Sequence, residues 1–134
     1  MPEIRYEISP DVSNEALNTL FFAVWEHHQS RDFLPVLKHS LLWVCAYSGN
    51  QLIGFVNVVW DGGKHAFILD TSVHPDFQRH GIGIELVKRA NLASTEKGIL
   101  WMHVDYEAHL TDFYAKCGFR TTVAGLLNLQ DTSS

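Results

Sequence analysis

The sequence has few of the features that mark secreted, membrane-spanning or metal-binding proteins. It contains only two cysteines, Cys45 and Cys117, which are far apart in the sequence and do not have the spacing of paired metal ligands. The sequence therefore predicts reduced thiols and no disulfide framework. No apolar run approaches the ~18 residues that a membrane helix needs. Met1 is followed by neither a basic nor an apolar leader segment. We therefore expect a cytoplasmic protein with no membrane partner.

Positive charge is also scarce. Ten Lys and Arg residues stand against 15 Asp and Glu residues, which gives a net charge of −5, so a general nucleic-acid binder is not expected. The eight histidines form no His-Glu-x-x-His motif, so no metal cofactor is expected. The chain has no low-complexity linker and no internal repeat, which predicts a single domain over residues 1–134, with residues 131–134 as a disordered tail.

Apolar periodicity predicts the order strand, one or two helices, three antiparallel strands, helix, strand, helix and strand. The predicted strands cover residues 4–8, 41–47, 51–60, 66–73, 99–105 and 119–129. The predicted helices begin after an N-cap at Ser13, near residue 33, near residue 82 and near residue 110. This order indicates an α/β fold with a mixed, mostly antiparallel central sheet of about six or seven strands and helices on both faces.

The most informative stretch is the glycine loop, residues 78–83 (QRHGIG), which lies between a predicted strand and a predicted helix. Glycine allows close approach of the backbone, and a helix start offers unpaired N–H groups, so the loop predicts a phosphate site. A dinucleotide fingerprint needs a third glycine where Leu86 stands. A P-loop reading of Gly49 and Gly54 fails because Phe55 follows in place of lysine.

Two motifs resemble the GNAT superfamily of N-acetyltransferases. Residues 73–83 (VHPDFQRHGIG) are similar to that family's acetyl-CoA loop, and residues 113–119 (FYAKCGF) are similar to its second signature. The resemblance extends over roughly residues 4–129. It implies a GNAT-like fold and an acetyl-CoA-dependent enzyme that transfers an acetyl group to a primary amine, on a small molecule or a peptide, by direct attack on the thioester.

The same resemblance assigns the cofactor-binding residues. Backbone N–H groups of the glycine loop would bind the CoA pyrophosphate, the Gln78 side chain would order the loop, and the pantetheine arm would pair with the backbone of the preceding strand end. The implied set is Ser72, Val73, Gln78, Arg79, His80, Gly81, Ile82 and Gly83. For the side chains of Arg79 and His80, a solvated loop without ligand contact is an equal alternative.

Tyr114 matches the family's general acid, which would protonate the leaving CoA thiolate. The alternative is core packing on a helical face with Leu110 and Phe113. A lysine-like amine is neutral in only about one molecule in 2,500 at pH 7, so a proton acceptor is needed. His103 is the candidate, because its ordinary pKa lies near ~6.5, and Asp70 and Asp105 are alternatives on the same predicted strands.

Several points stay open at this level. Glu107 stands where many relatives of the family carry asparagine, and the segment after Phe119 is short for the usual closing hairpin. A non-catalytic acyl-CoA-binding sensor would keep the glycine loop and need no Tyr114. Transfer to a hydroxyl, or from a longer acyl-CoA, is compatible with the same motifs. Dimers are frequent among similar proteins, so a homodimer is an option. The acceptor cannot be read from the sequence.

Overall fold

A computed structural model describes residues 3–130 of the chain, so the predicted tail at residues 131–134 lies outside the described residues. The chain forms two compact units, Met1–Val104 and Asp105–Ser134. Within the described residues, none of the helices is both long and apolar enough to cross a bilayer. The expectation of a single domain stays a prediction.

The first unit is built on a five-stranded sheet with the strand order β1-β2-β3-β4-β5. The strands are β1 (Ile4–Ile8), β2 (Ser40–Ser48), β3 (Gln51–Trp60), β4 (His65–Val73) and β5 (Trp101–His103). The pairs β1–β2, β2–β3 and β3–β4 are antiparallel, and β5 runs parallel to β4. The predicted mixed, mostly antiparallel sheet is confirmed, with five strands in the described residues where six or seven were expected.

Helices cover both faces of this sheet. They are α1 (Asn14–Val24), α2 (Leu34–Lys38) and α3 (Ile82–Glu96). α1 begins at the predicted N-cap, where the Ser13 hydroxyl accepts a hydrogen bond from the Ala16 N–H at 3.0 Å. α1 and α2 pack on the face that carries Cys45 and Phe55. α3 packs on the opposite face, against Gly54, because neighbouring strand residues point to opposite sides.

β4 contains an irregularity that alternation cannot reveal. Phe55 pairs with Ser72 and Asn57 pairs with Leu69, so Val56 alone lies opposite two residues of β4, Asp70 and Thr71. Two residues opposite one define a β-bulge, which bends the strand and changes which face the following side chains occupy. Asp70 carries the left-handed backbone of the bulge, with φ of 59°.

The second unit contains a 3-10 turn at Ala108–Leu110 and a short helix, α4 (Thr111–Lys116). No strand forms in its described part, so the prediction of a strand over residues 119–129 is wrong. The apolar side chains that suggested it, among them Val123, Leu126 and Leu129, are largely exposed. An apolar pattern becomes a strand only when a neighbouring strand satisfies its backbone, and none is recorded for this segment.

Candidate functional site

The end of β4 separates from its neighbour β5. The two strands pair at three positions, from His65 opposite Trp101 to Phe67 opposite His103. β4 continues to Val73, and on that side no further strand pairing is recorded among the described residues. An unpaired strand edge can pair with an extended ligand through main-chain hydrogen bonds. The sheet therefore offers such an edge beside the backbone of Ser72 and Val73.

The chain turns sharply after β4 and is tied back to it. A 3-10 turn at Pro75–Phe77 follows the strand, and its Asp76 N–H donates to the His74 ring at 3.1 Å. The Gln78 side-chain amide donates to the Val73 carbonyl at 3.1 Å. These contacts hold the glycine loop against the end of β4.

Two left-handed residues then direct the chain into α3. Arg79 has φ of 68° and Gly81 has φ of 77°. Glycine adopts such a φ without cost, whereas a side-chain-bearing residue does so rarely, so the loop is partly strained at Arg79. No atom lies within 4 Å of the place where a Cβ of Gly81 would stand. The loop thus presents open space beside bare backbone.

The first turn of α3 has donors but no cap. Gly81 is its N-cap residue and supplies no side-chain hydrogen bond. Among the described residues, no partner is recorded for the first-turn N–H groups of Ile82 and Gly83. The partial positive charge of a helix start adds to these donors. The residues present therefore fit an anionic group such as a pyrophosphate. Ile82 is buried against the sheet, which fixes the start of the helix.

Tyr114 lies in α4 of the second unit and is buried. Its ring stacks on the ring of Tyr106 with centroids 4.8 Å apart, and the Phe113 and Phe119 rings contact it edge-on. Core packing was the alternative role predicted for Tyr114, on a helical face with Leu110 and Phe113; the structure shows the Phe113 contact and adds Tyr106 and Phe119. Packing of the ring and proton donation by the hydroxyl do not exclude each other, because they involve different atoms of the side chain. The catalytic role of Tyr114 stays a prediction.

His103 lies at the end of β5 in the first unit. Its Nε2 is 2.8 Å from Nδ1 of His65, and its ring stacks on Phe67 at 4.6 Å. The residue is exposed, so it can exchange protons with solvent. Its role as a general base also stays a prediction. The partner His65 was not anticipated, because only the parallel register of β4 and β5 brings the two rings together.

Asp70 differs from His103 in its surroundings. Its Oδ2 lies 3.7 Å from Nη2 of Arg31, in the connection between α1 and α2. Burial raises the pKa of the Asp70 carboxyl, and the nearby Arg31 charge lowers it, with burial the larger effect. Trp25 donates its indole N–H to the Ser72 hydroxyl at 3.1 Å beside it. From the sequence, Asp70 was predicted only as an alternative general base. No sequence pattern indicated that Arg31 or Trp25 would lie beside this part of β4.

Metal-ligating side chains and the Cys45 thiol are the other reactive groups to consider among the described residues. Among residues 3–130, no group of three or more His, Cys, Asp or Glu side chains is arranged to hold a metal ion. Burial raises the pKa of the Cys45 thiol to about 12. That thiol is therefore protonated at neutral pH and is a poor nucleophile.

Comparison with known proteins identifies the family. The sequence pattern of the acetyltransferase (GNAT) family matches residues 11–119. An uncharacterized N-acetyltransferase, ycf52 of Porphyra purpurea, is 33% identical over 103 residues, which cover 71% of this chain and 57% of that protein. The chain thus spans little more than half the length of this relative.

Solved structures share the fold. A GNAT-family acetyltransferase of Streptococcus pneumoniae has a TM-score of 0.76 and 26% identity, over 96% of this chain and all of that chain. An aminoglycoside N-acetyltransferase solved in complex with CoA has a TM-score of 0.76 and 18% identity, over 96% of this chain and 95% of that chain. The chain belongs to the GNAT family of acetyltransferases.

Proposed function

We propose that the protein transfers an acetyl group from acetyl-CoA to a primary amine. The observation that carries this proposal is the glycine loop between the free edge of β4 and the uncapped start of α3. It combines backbone donors for a pyrophosphate with a strand edge for an extended arm. The CoA complex of the structurally similar aminoglycoside N-acetyltransferase supports the choice of cosubstrate.

The cofactor-binding roles follow the loop geometry. The N–H groups of Arg79 to Gly83 would hold the pyrophosphate, and the Gln78 side chain would keep the loop in its bound shape through its contact with Val73. Ser72 and Val73 would pair with the pantetheine arm through their backbone. Arg79 and His80 are both exposed, so their side chains would add charge only at the outer phosphates.

Acetyl-CoA supplies an activated thioester, and the residues of the chain move the protons. The amine loses one proton before attack and one after it, and the departing thiolate gains one. We assign the last transfer to the Tyr114 hydroxyl, and the first to the His103 imidazole, because a neutral ring nitrogen can accept a proton. Proximity of the two substrates would supply much of the acceleration.

Thiol release from acetyl-CoA, followed with a chromogenic thiol reagent and a panel of primary amines, tests this function. Tyr114→Phe should lower kcat/KM by roughly 100-fold or more, the usual size of general-acid catalysis. Tyr106→Phe is the matched control, because it keeps the ring that stacks on Tyr114 and removes a different hydroxyl. Equal activity of the two variants would remove Tyr114 from the reaction.

His103→Gln tests the base separately. The rate should fall by roughly tenfold or more near pH 7, because general-base catalysis is lost, while the affinity for CoA stays unchanged in calorimetry. An unchanged rate would reduce the pair of His65 and His103 to a structural contact.

CoA binding without turnover of any amine would instead favour the non-catalytic acyl-CoA sensor. The affinity for CoA and the rate of thiol release therefore separate the two functions. The homodimer also stays a prediction, and light scattering at several protein concentrations measures it directly.

A further inference from the structure

Trp25, the C-cap residue of α1, is held by hydrogen bonds of both its backbone and its side chain. Its backbone N–H donates to the Phe21 carbonyl at 2.8 Å, and its carbonyl accepts from the His28 N–H at 3.2 Å. Its indole N–H donates to the Ser72 hydroxyl of β4 at 3.1 Å. The side chain thus crosses from the end of α1 to the sheet and is fixed at both ends.

Ser72 is a rigid anchor for this ring. It is buried and pairs with Phe55, so its side chain lies on the face of the sheet that α1 and α2 cover. Its hydroxyl donates to the Asp70 carbonyl at 2.9 Å while it accepts from the indole. A hydroxyl has a single proton, so these two bonds fix its direction. The position of the indole is therefore tied to the backbone of β4.

β4 offers a ligand its edge toward β5. The opposite edge is occupied to the end of the strand, since the His74 N–H donates to the Ile53 carbonyl of β3 at 2.8 Å. On the β5 side, no strand pairing is recorded beyond Phe67 within the part of the chain that the structure describes. An extended pantetheine arm can therefore pair with the backbone of Ser72 and Val73 along this edge.

The direction of the arm follows from the position of the glycine loop. The loop comes after Val73 in the chain, so an arm that starts from a pyrophosphate at the loop passes Val73 first and Ser72 second. With a strand rise of about 3.3 Å per residue, each further step brings the arm closer to the bulge at Asp70 and Thr71. The acyl group at the end of the arm would therefore lie beside the β4 residues to which the indole is tied.

We infer that the Trp25 indole forms a wall of the acyl pocket and restricts the donor to short acyl groups, so that acetyl-CoA is preferred over longer acyl-CoA. This inference rests on the proposed acetyl transfer. Trp25 is 47% exposed, so its ring has free surface for a group bound beside Ser72. Because the ring is fixed at its N–H, it cannot move aside for a longer chain without breaking the hydrogen bond to Ser72. The wall acts on the acyl group and leaves the binding of CoA itself unchanged.

The first experiment measures binding and needs no acceptor. Calorimetry gives the affinities for CoA, acetyl-CoA and butyryl-CoA. A pocket that rejects one extra methylene discriminates by roughly tenfold or more, so the natural chain should bind butyryl-CoA at least about tenfold more weakly than acetyl-CoA. In Trp25→Ala this ratio should fall close to one, while the affinity for CoA is kept. Trp60→Ala is the matched control, because Trp60 is similarly exposed but pairs with Ala66 at the other end of β4. An equal ratio in Trp25→Ala and the natural chain would overturn the inference, even if all three affinities fall together.

The second experiment measures the same preference in the reaction. Thiol release from acetyl-CoA and from propionyl-CoA is compared, with the most active amine of the panel as acceptor. The ratio of the two kcat/KM values should be roughly tenfold or more in the natural chain, close to one in Trp25→Ala and intermediate in Trp25→Phe; melting temperatures check the fold of the variants. Discrimination in calorimetry that depends on Trp25, without thiol release with any amine, would refute acetyl transfer and leave the acyl wall standing. Thiol release with the same acetyl preference in Trp25→Ala would refute the acyl wall and leave acetyl transfer standing.

Discussion

Gly54 in β3 controls how closely α3 approaches the sheet. A Cβ at this position would lie 3.0 Å from Cδ1 of Leu86 and 3.2 Å from Cβ of Ala46. It would also lie 3.4 Å from Cγ2 of Ile82, at the start of α3. Both the Leu86 and the Ala46 contacts are tighter than most contacts that real Cβ atoms make, so a neighbour would have to move by a few tenths of an ångström. A single methyl group at Gly54 should therefore push α3 and the glycine loop away from β3.

The magnitude follows from two opposing effects. Replacing glycine by alanine in a strand gains roughly 0.5–1 kcal/mol of backbone entropy. Overpacking a buried contact costs about 1–3 kcal/mol. Gly54→Ala should therefore lower the free energy of unfolding by about 1 kcal/mol, with an upper value of about 2.5 kcal/mol. Since the displaced element carries the glycine loop, CoA should also bind at least about threefold more weakly, equal to about 0.7 kcal/mol.

Urea unfolding followed by tryptophan fluorescence measures the stability, and calorimetry measures CoA binding. Leu86→Ala removes the atom that meets the new methyl group and by itself costs about 2–5 kcal/mol. In that background Gly54→Ala should become neutral or stabilising, which gives a coupling of about 1 kcal/mol or more. Two results would refute the close packing of α3 on Gly54. The first is an equal loss of stability from Gly54→Ala in the natural and Leu86→Ala backgrounds. The second is a Gly54→Ala single variant that is more stable than the natural protein.

Two further outcomes are expected. Gly81→Ala and Gly62→Ala both add a side chain at a left-handed φ with open space around it, so each should lower the free energy of unfolding by about 1 kcal/mol. Only Gly81→Ala should weaken CoA binding. Equal CoA affinities of the two variants in calorimetry would contradict the CoA-binding role of the glycine loop. Burial raises the pKa of the Asp70 carboxyl above its ordinary 3.8. At a pH above the raised pKa, the ionised carboxylate therefore lowers the free energy of unfolding. This effect disappears as the pH falls below 3.8, because the carboxyl is then protonated in both the folded and the unfolded chain. Asp70→Asn should therefore be more stable than the natural chain at pH 7, by a margin that shrinks to zero on acidification; a margin that grows in acid, measured by urea unfolding across the pH range, would contradict this assignment.

Local patterns in the sequence predicted most elements of the first unit. β1 and β3 match the predicted residues 4–8 and 51–60, and the Ser13 cap forms as expected. These features depend on alternation, helical spacing and short-range hydrogen bonds, all of which are visible within a few residues. The two motifs that identified the family are equally local, since the loop and the helix that follows it are continuous in the chain.

Contacts between distant segments could not be predicted. β5 is limited to Trp101–His103, shorter than the predicted 99–105, because a strand extends only as far as its neighbour pairs with it. The apolar pattern of residues 119–129 forms no strand, for the same reason. The pairing of His65 with His103 requires the parallel register of β4 and β5.

The sequence by itself determined the family, and it predicted phosphate binding at the glycine loop and acetyl-CoA as the donor, because each of these depends on a continuous run of residues. The tertiary structure alone decided where Asp70 points. One extra residue in β4 reverses the facing of the strand, and that depends on how β4 is matched to β3 across a turn. The contact of Asp70 with Arg31 joins residues 39 positions apart, and no local pattern links them.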